Sequence, residues 1–156
     1  MGGELRRILI VDDHLIARTA IRCLLDGNPF DICGEARDGK EAIEKVIELK
    51  PDIVLLDINM PVMDGIRAAH EIRLISPEAK IIFLTIHNVP AFRDATQSLS
   101  HAFVTKHEAA AELIPVLNRL AEAPPNHTKI AGEIPSRALR QSADEVKGPG
   151  PGGVLI

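Results

Sequence analysis

The chain has 156 residues, a formal net charge of −4, four phenylalanines and neither tyrosine nor tryptophan. This length fits one domain with a short appendage. An acidic chain with few aromatic rings offers little to phosphate backbones or stacked bases, so direct nucleic-acid binding is not expected. No apolar run approaches the roughly 18 residues that cross a bilayer, and the N-terminus lacks a signal-peptide pattern. We therefore expect a cytoplasmic protein without a membrane contact.

Short apolar runs predict the strands. Four runs are too short for helices and rich in β-branched residues, which is typical of parallel strands buried on both faces. A fifth candidate, residues 30–33, alternates polar with apolar residues and should lie at a sheet edge. The four buried runs, in chain order, are Ile8 to Val11, Ile53 to Leu56, Ile81 to Leu84 and Ala102 to Val104.

Between these runs, apolar residues recur at helical spacing and predict five helices. Asp38 and Glu41 form a capping-box pattern at the second helix, and Pro77 should end the third. Five alternating βα units predict a doubly wound α/β fold, in which a five-stranded parallel sheet carries helices on both faces. The apolar positions are Ala17, Ile21, Leu24 and Leu25; Ala42, Ile43, Val46 and Ile47; Ala68, Ile72 and Ile75; Phe92, Ala95, Thr96 and Leu99; Leu113, Val116, Leu117 and Leu120.

The helical pattern ends near Ala121, and prolines and glycines dominate the rest of the chain. We expect one domain over residues 1–122 and a Pro/Gly-rich, disordered tail over residues 123–156, with a short helix near residues 136–146 as its one ordered segment.

Polar residues follow four of the apolar runs. The first run leads into Asp12 and Asp13, the third strand into Asp57, the fourth into Thr85 and the fifth into Lys106. Any one of them alone is more simply a solvated loop residue. In an open α/β sheet, however, ligands bind beyond the carboxyl ends of the strands. Four strand ends that converge on one crevice therefore predict a functional site.

Clustered carboxylates predict a bound cation, because two of them repel by roughly 4 kcal/mol at 4 Å and an effective dielectric near 20. Ligands that are all oxygen atoms favour Mg²⁺, for which Mn²⁺ can substitute. An aspartate beside Mg²⁺, a lysine and a threonine has the groups that in-line phosphoryl transfer needs. His14 could be a transition-metal ligand, but a lone histidine among oxygen ligands is more often a helix-start residue.

Four motifs carry a resemblance to a known family: "ILIVDDH", "IVLLDINMPVMDG", "IIFLTIH" and "AFVTKH". In this order and at these spacings they resemble the receiver domain of two-component response regulators, over about residues 5 to 122. The "VDDH" start followed by Arg18, together with "CGEARDGKEAIE", is most similar to the LuxR-type subclass. The resemblance implies the flavodoxin-like strand order 2-1-3-4-5.

The resemblance also implies roles for the residues of the crevice. Asp57 would accept a phosphoryl group from a sensor histidine kinase or a phosphotransfer protein. The transfer and the later autodephosphorylation would be self-catalysed, so the chain would not be an enzyme in the ordinary sense. Asp13 and Asp57 would bind Mg²⁺, Asp13 directly, while Asp12 would act largely through water and Asn59 through its backbone carbonyl. Lys106 would pair with the phosphoryl oxygens.

A conformational switch is implied as well. Thr85 would move toward the phosphoryl group and draw Phe103 inward, although Phe103 taken alone is more simply a core aromatic. The signal would pass to an unknown output protein or to a homodimer that forms on phosphorylation. Leu99 and Ala102 stand where relatives usually carry glycine, so the exit of the fourth helix should be reshaped. Pro115 predicts a kink or a late start of the fifth helix.

LuxR-type regulators usually continue into a helix-turn-helix output domain. Residues 123–156 lack three helical patterns and a basic recognition face, so we expect a stand-alone receiver. Three alternatives stay open: a phosphate sink, a degenerate receiver that binds partners without phosphorylation, and a haloacid-dehalogenase-like phosphatase. The phosphatase is the least favoured, because it needs a second acid where Asn59 stands.

Overall fold

The computed structural model describes residues 4–87 and 90–122. The expected disordered tail, its short helix and the expected absence of an output domain concern residues 123–156 and lie outside the described residues.

Strands and helices alternate along the described ranges, and the strands form one parallel sheet in the order β2-β1-β3-β4-β5. This confirms the predicted doubly wound fold and its strand order. The strands are β1 (Arg6–Val11), β2 (Phe30–Ala36), β3 (Ile53–Asp57), β4 (Lys80–Thr85) and β5 (Ala102–Thr105). The helices are α1 (Leu15–Leu25), α2 (Gly39–Leu49), α3 (Gly65–Ile75), α4 (Pro90–Thr96) and α5 (Ala109–Glu122).

The sheet is covered on both faces, which explains why its central strands read as continuous apolar runs. Every residue of β3 is buried, and every residue of β4 except the first is buried. Alternate residues along each strand face opposite sides. Leu9, Leu56 and Phe83 therefore join one cluster with α2 and α3, whereas Ile10 and Leu55 join another with α1 and α5. The outer strand β2 is only partly buried, as expected of an edge.

The predicted start of the second helix and end of the third are as expected, but the capping box at the second helix is incomplete. The Asp38 carboxylate accepts a hydrogen bond from the main-chain N–H of Glu41 at 2.9 Å, which caps α2. The Glu41 carboxylate accepts from the N–H of Arg37 at 2.9 Å instead of returning to Asp38, so the reciprocal bond is displaced by one residue. Helix α3 ends at Ile75, two residues before Pro77, as predicted.

The fourth helix is shorter than its apolar pattern predicted. Helix α4 ends at Thr96, so Leu99 belongs to the turn that follows. Leu99 is nevertheless buried, and it packs into the cluster beneath α2 and α3. The main-chain N–H groups of Leu99 and Ser100 both donate to the Thr96 carbonyl, at 2.9 and 3.1 Å. The apolar spacing thus identified a residue that faces the core but not the point where the helix stops.

Of the two alternatives predicted from Pro115, a kink or a late start of the fifth helix, the late start is wrong and the kink stays a prediction. Helix α5 begins at Ala109 and contains Pro115. Its start is set by Thr105, whose hydroxyl accepts from the main-chain N–H of Glu108 at 3.3 Å and donates to the Glu108 carboxylate at 2.6 Å. A side chain that satisfies a donor just before the helix fixes its beginning independently of a proline further along.

Candidate functional site

Three charged side chains from separate strand ends meet at the carboxyl end of the sheet. Asp12 follows β1, Asp57 is the last residue of β3 and Lys106 follows β5. The Lys106 ammonium nitrogen lies 2.5 Å from Asp12 Oδ2 and 3.3 Å from Asp57 Oδ2. The two carboxylate side chains are only 1% and 5% exposed. One lysine therefore bridges two nearly buried carboxylates.

Asp12 and Asp13, the acidic pair, have oxygen atoms suited to a metal ion. Asp12 Oδ2 and Asp13 Oδ1 are buried and accept no well-aligned hydrogen bond from the described residues, although Asp12 Oδ2 contacts Lys106. Asp12 Oδ1 accepts the main-chain N–H of His14 at 2.9 Å. Each oxygen has a nitrogen close to it but no aligned hydrogen bond, so its burial carries a cost that a cation or water can offset. This donor set fits Mg²⁺.

His14 occupies the N-cap position of α1, where the sequence predicted a helix-start residue, but its side chain makes no capping bond. Its Nδ1 lies 3.0 Å from Asp13 Oδ1 and 3.6 Å from Asp12 Oδ1. One candidate ligand atom from each of these three residues fits within a 4.8 Å group. The imidazole is thus placed beside the acidic pair, although 70% of its side chain is exposed.

The site carries more negative than positive charge. Burial raises the pKa of the Asp57 carboxyl above its usual value; Lys106 opposes this rise and the Asp12 charge adds to it. The main-chain N–H of Asn59 also donates to Asp57. Burial alone would lower the pKa of the Lys106 ammonium, but its contacts with Asp12 and Asp57 outweigh burial and raise it. Lys106 is therefore held protonated, and a further cation would relieve the remaining repulsion.

The turn after Asp57 is held tightly against the strand end. The Gly65 N–H donates to the Ile58 carbonyl at 2.8 Å, and a Cβ atom on Gly65 would lie 2.0 Å from the Asp57 carbonyl oxygen. Only glycine allows this approach. Within the turn, Val62 adopts a φ of 66°, which is costly for a β-branched residue. The loop that carries Asn59 is thus fixed close to Asp57.

Thr85 and Phe103 lie on the side of the site toward α4. Thr85 is buried at the end of β4, where its hydroxyl accepts the N–H of His87 at 3.3 Å and its carbonyl accepts the N–H of Lys106 at 2.7 Å. Phe103 is partly buried, and the Arg93 guanidinium carbon lies 5.3 Å from its ring centroid, which is a cation–π geometry.

Phe103 and Arg93 border a groove of about 700 Å³ between α4, β5 and α5, here called the output groove. Ala102 and Pro115, two of the departures from the family pattern, also line it. Leu113 does not, because it is fully buried. The remaining lining residues are Asp94, Thr96, Gln97, Ser100, His101, Ala111, Glu112, Val116 and Arg119.

Sequence reasoning gave Arg18 no role beyond marking a subclass, and gave none to Glu35. Arg18 is 8% exposed, donates to the Asp12 carbonyl at 2.8 Å and donates to the Glu35 carboxylate at 2.8 Å. One signal was present and was not used: Arg18 shares a helical face with Ile21 and Leu25, a position at which an arginine is buried.

The receiver-domain profile of response regulators matches residues 8–118, more than half of the chain. The chain belongs to the response regulator receiver family. The chemotaxis protein CheY of Thermotoga maritima is 37% identical over 118 residues, covering 75% of this chain and 98% of that protein. A solved LuxR-family response regulator from Aurantimonas has a TM-score of 0.70 at 35% identity, covering 76% of this chain and 86% of that chain. This supports the resemblance to the LuxR-type subclass.

A second relative extends beyond the matched region. A protein-glutamate methylesterase/protein-glutamine glutaminase from Methanosarcina mazei is 41% identical over 112 residues, but the match covers 69% of this chain and only 31% of that protein.

Receiver domains are signalling domains that bind Mg²⁺ in an acidic pocket and interact with histidine kinases and with output or partner proteins. Among the described residues, no helix is both long and apolar enough to span a bilayer.

Proposed function

We propose that this receiver accepts one phosphoryl group on Asp57 from a sensor histidine kinase or a phosphotransfer protein. The observation that carries the proposal is the position of Lys106, which contacts Asp12 at 2.5 Å and Asp57 at 3.3 Å. A buried carboxylate beside a protonated lysine and oxygen atoms suited to a metal is equipped as a nucleophile whose product charge is stabilised.

In the proposed reaction, a carboxylate oxygen of Asp57 attacks the phosphorus of a phosphohistidine. The new O–P bond forms as the P–N bond breaks, and the released imidazole takes up a proton. Lys106 stabilises the charge on the phosphoryl oxygens. Asp12, Asp13, Asp57 and the Asn59 carbonyl would hold Mg²⁺, which neutralises further phosphoryl charge when bound. Water would later cleave the acyl phosphate, which restores the Asp57 carboxylate and releases inorganic phosphate. The groups of the site would catalyse both the transfer and this dephosphorylation.

The proposed output is a change at the output groove. Thr85 would turn its hydroxyl toward the phosphoryl group and give up the bond from His87. Phe103 would then move inward and away from Arg93, which now lies over its ring. This shifts the population of two states of the groove, and a partner that prefers one state reads the shift. We propose a protein as that partner, either an output protein or a second copy of this chain.

Direct DNA binding is not part of the proposal, since the chain is net acidic and a phosphoryl group adds negative charge. The proposed site of action is the cytoplasm, where sensor kinases present their phosphohistidine. The phosphate sink and the partner-binding receiver that is never phosphorylated stay as alternatives. A phosphate sink would be phosphorylated but would not bind a partner in response. A receiver of the other kind would bind a partner without being phosphorylated.

Intact mass after incubation with a small phosphodonor and Mg²⁺ tests the acceptor. Wild type should gain one phosphoryl group, and Asp57→Asn should gain none. Asp26→Asn is the matched control, because Asp26 is exposed and lies where α1 ends, at the opposite end of the strands from Asp57. Equal labelling of wild type and Asp57→Asn would refute the acceptor assignment, as would a wild-type chain that stays unlabelled.

Binding assays test the output. The partner, or the second copy, should bind the phosphorylated chain more tightly, and Arg93→Ala or Phe103→Ala should change that preference. Leu74→Ala is a control on an exposed apolar residue of α3, away from the groove. A partner complex that is indifferent to both groove variants would refute this part of the proposal. Salt-sensitive, submicromolar binding of the chain to duplex DNA would overturn the expectation of a protein output.

A further inference from the structure

Hydrogen bonds hold both the main-chain N–H and the main-chain carbonyl of Asp12. Its N–H donates to the Ala36 carbonyl at 3.0 Å, and its carbonyl accepts the Arg18 guanidinium at 2.8 Å. The peptide that links Asp12 to Asp13 therefore has its orientation set by a side chain from α1. Any rotation of that peptide would move both carboxylates of the acidic pair.

Arg18 is itself held by Glu35. The Arg18 Nε donates to Glu35 Oε2 at 2.8 Å, while a different nitrogen of the same guanidinium reaches Asp12. Arg22 donates to the other oxygen, Glu35 Oε1, at 2.8 Å. Burial acts to raise the pKa of the Glu35 carboxyl, but the hydrogen bonds from Arg18 and Arg22 outweigh it, and the pKa lies below its usual value. Glu35 is thus ionised at neutral pH and neutralises the buried cation.

An irregularity in β2 places Glu35 on the face that α1 covers. Ile8 pairs with Ile32, but Leu9 pairs with Gly34, so the register shifts by one residue between them. Because side chains alternate along a strand, this extra residue changes which face every later residue occupies. Glu35 consequently pairs with Ile10, which faces α1 and α5. Without the shift, Glu35 would point toward α2 and could not reach Arg18.

We propose that Arg18 is a positioning residue for the metal site. It bridges Glu35 and the Asp12 carbonyl and thereby sets the geometry of the acidic pair. This inference rests on the proposed function, since it concerns the Mg²⁺ that the acidic pair would hold. The hydrogen bonds of Arg18 go to Glu35 and to the Asp12 carbonyl, and none goes to Asp57. A planar guanidinium with donors in a fixed fork can join the two acceptors at once, whereas a lysine ammonium cannot reproduce that geometry. Partners that orient metal ligands commonly change metal affinity by about 10-fold to 100-fold when removed.

The test measures the Mg²⁺ dissociation constant of the purified full chain by calorimetry, without phosphate. We expect Arg18→Lys and Arg18→Ala to weaken Mg²⁺ binding by about 10-fold, and Glu35→Ala to weaken it in the same direction. Arg22→Ala is the matched control, because Arg22 binds the same carboxylate but is 61% exposed and makes no contact with Asp12. It should bind Mg²⁺ within about twofold of wild type.

A second readout separates positioning from a loss of structure. Labelling by a small phosphodonor is measured over a range of Mg²⁺ concentrations. The half-saturating concentration should rise in the Arg18 and Glu35 variants, while the rate at saturating Mg²⁺ stays within about threefold of wild type. Merely structural damage would lower the saturating rate and the melting temperature without this displacement.

Three outcomes overturn the inference while leaving the proposed function in place. The first is a folded Arg18 variant that binds Mg²⁺ as wild type does. Where the Arg18 variants do not fold, Glu35→Ala decides, and wild-type Mg²⁺ affinity in that chain is the second. The third is an Arg22→Ala chain that is weakened as much as Arg18→Ala, which would mean that charge near Glu35 matters but the bridge does not. A wild-type chain that binds no Mg²⁺ would refute the proposed function itself, and this inference with it.

Discussion

The two ends of the sheet differ in whether their charged side chains have hydrogen-bond partners. At the amino end, Lys80 donates to the Leu120 carbonyl at 2.6 Å, Arg6 donates to the Ala121 carbonyl at 3.0 Å, and Asp52 accepts the Arg7 N–H. At the carboxyl end, one buried oxygen of each residue of the acidic pair accepts no aligned hydrogen bond from the described residues, and burial together with the Asp12 charge raises the pKa of the Asp57 carboxyl. Groups of the first kind stabilise the fold, whereas groups of the second kind are destabilising until a ligand binds.

The comparison teaches where function is held in this fold. Lys80 and Arg6 satisfy the last carbonyls of α5, which a helix end otherwise leaves unpaired. The opposite end concentrates three aspartates, whose carboxylates pair with Lys106 and the exposed His14 among the described residues. Substitutions of the charged groups at the amino end should therefore change stability, whereas substitutions of the charged groups at the carboxyl end should change ligand binding. The following predictions test this division, from the largest expected effect to the smallest.

Gly65→Ala should lower the free energy of unfolding by about 3 kcal/mol or more, because its Cβ would lie 2.0 Å from the Asp57 carbonyl oxygen. Chemical denaturation measures the change. Gly27→Ala is the control: Gly27 has a φ of 73° but nothing within 4 Å of a Cβ, so it should cost only about 1 kcal/mol. Equal losses in the two variants would show that the close approach at Gly65 carries no extra cost.

Asp52→Ala should lower the free energy of unfolding by about 2 kcal/mol, because the main-chain N–H of Arg7 loses its acceptor at 2.8 Å. Asp52→Asn retains an oxygen acceptor and should cost less. Neither variant should alter Mg²⁺ affinity. A weakened Mg²⁺ site in either chain would contradict the separation of the two ends.

Asp13→Asn should weaken Mg²⁺ binding at least about 10-fold, which corresponds to about 1.4 kcal/mol. Without metal, the same variant should melt at the same or a higher temperature than wild type, because it removes one negative charge from the cluster. Thermal unfolding with and without Mg²⁺ gives both values. A large loss of melting temperature in the metal-free variant would show that Asp13 serves the fold rather than the ligand.

His101 should make the amino end sensitive to acid. Its Nδ1 accepts the Ile81 N–H at 3.1 Å, and burial, Arg73 and Lys80 lower its pKa below the usual value. The unfolded chain therefore takes up this proton first, and stability should fall as the pH drops below about 6.5 toward the lowered pKa. His101→Asn offers an oxygen acceptor without a titration, so its stability should fall less over the same range. Parallel curves from pH 7.5 to 5 would refute this.

The sequence determined much of the architecture because its signals are local. Continuous apolar runs required buried strands, and residues at helical spacing required helices that pack on them. Asp12, Asp57 and Lys106 could be placed at one crevice because the carboxyl ends of parallel strands share an edge. The sequence did not predict where α4 ends or where α5 begins. The end of α4 depends on a turn that still buries Leu99, and the start of α5 depends on the hydrogen bonds between Thr105 and Glu108.

Tertiary structure alone decided how the site is held. The register shift in β2 has no sequence signal that a single chain reveals, yet it turns Glu35 toward Arg18. The burial of Arg18 could be inferred from its helical face. Its bond to the Asp12 carbonyl, however, joins α1 to the residue after β1 through a peptide group that sequence patterns do not describe. Local patterns specify which residues face the interior. Which polar atoms meet there depends on the packing of strands and helices from distant parts of the chain.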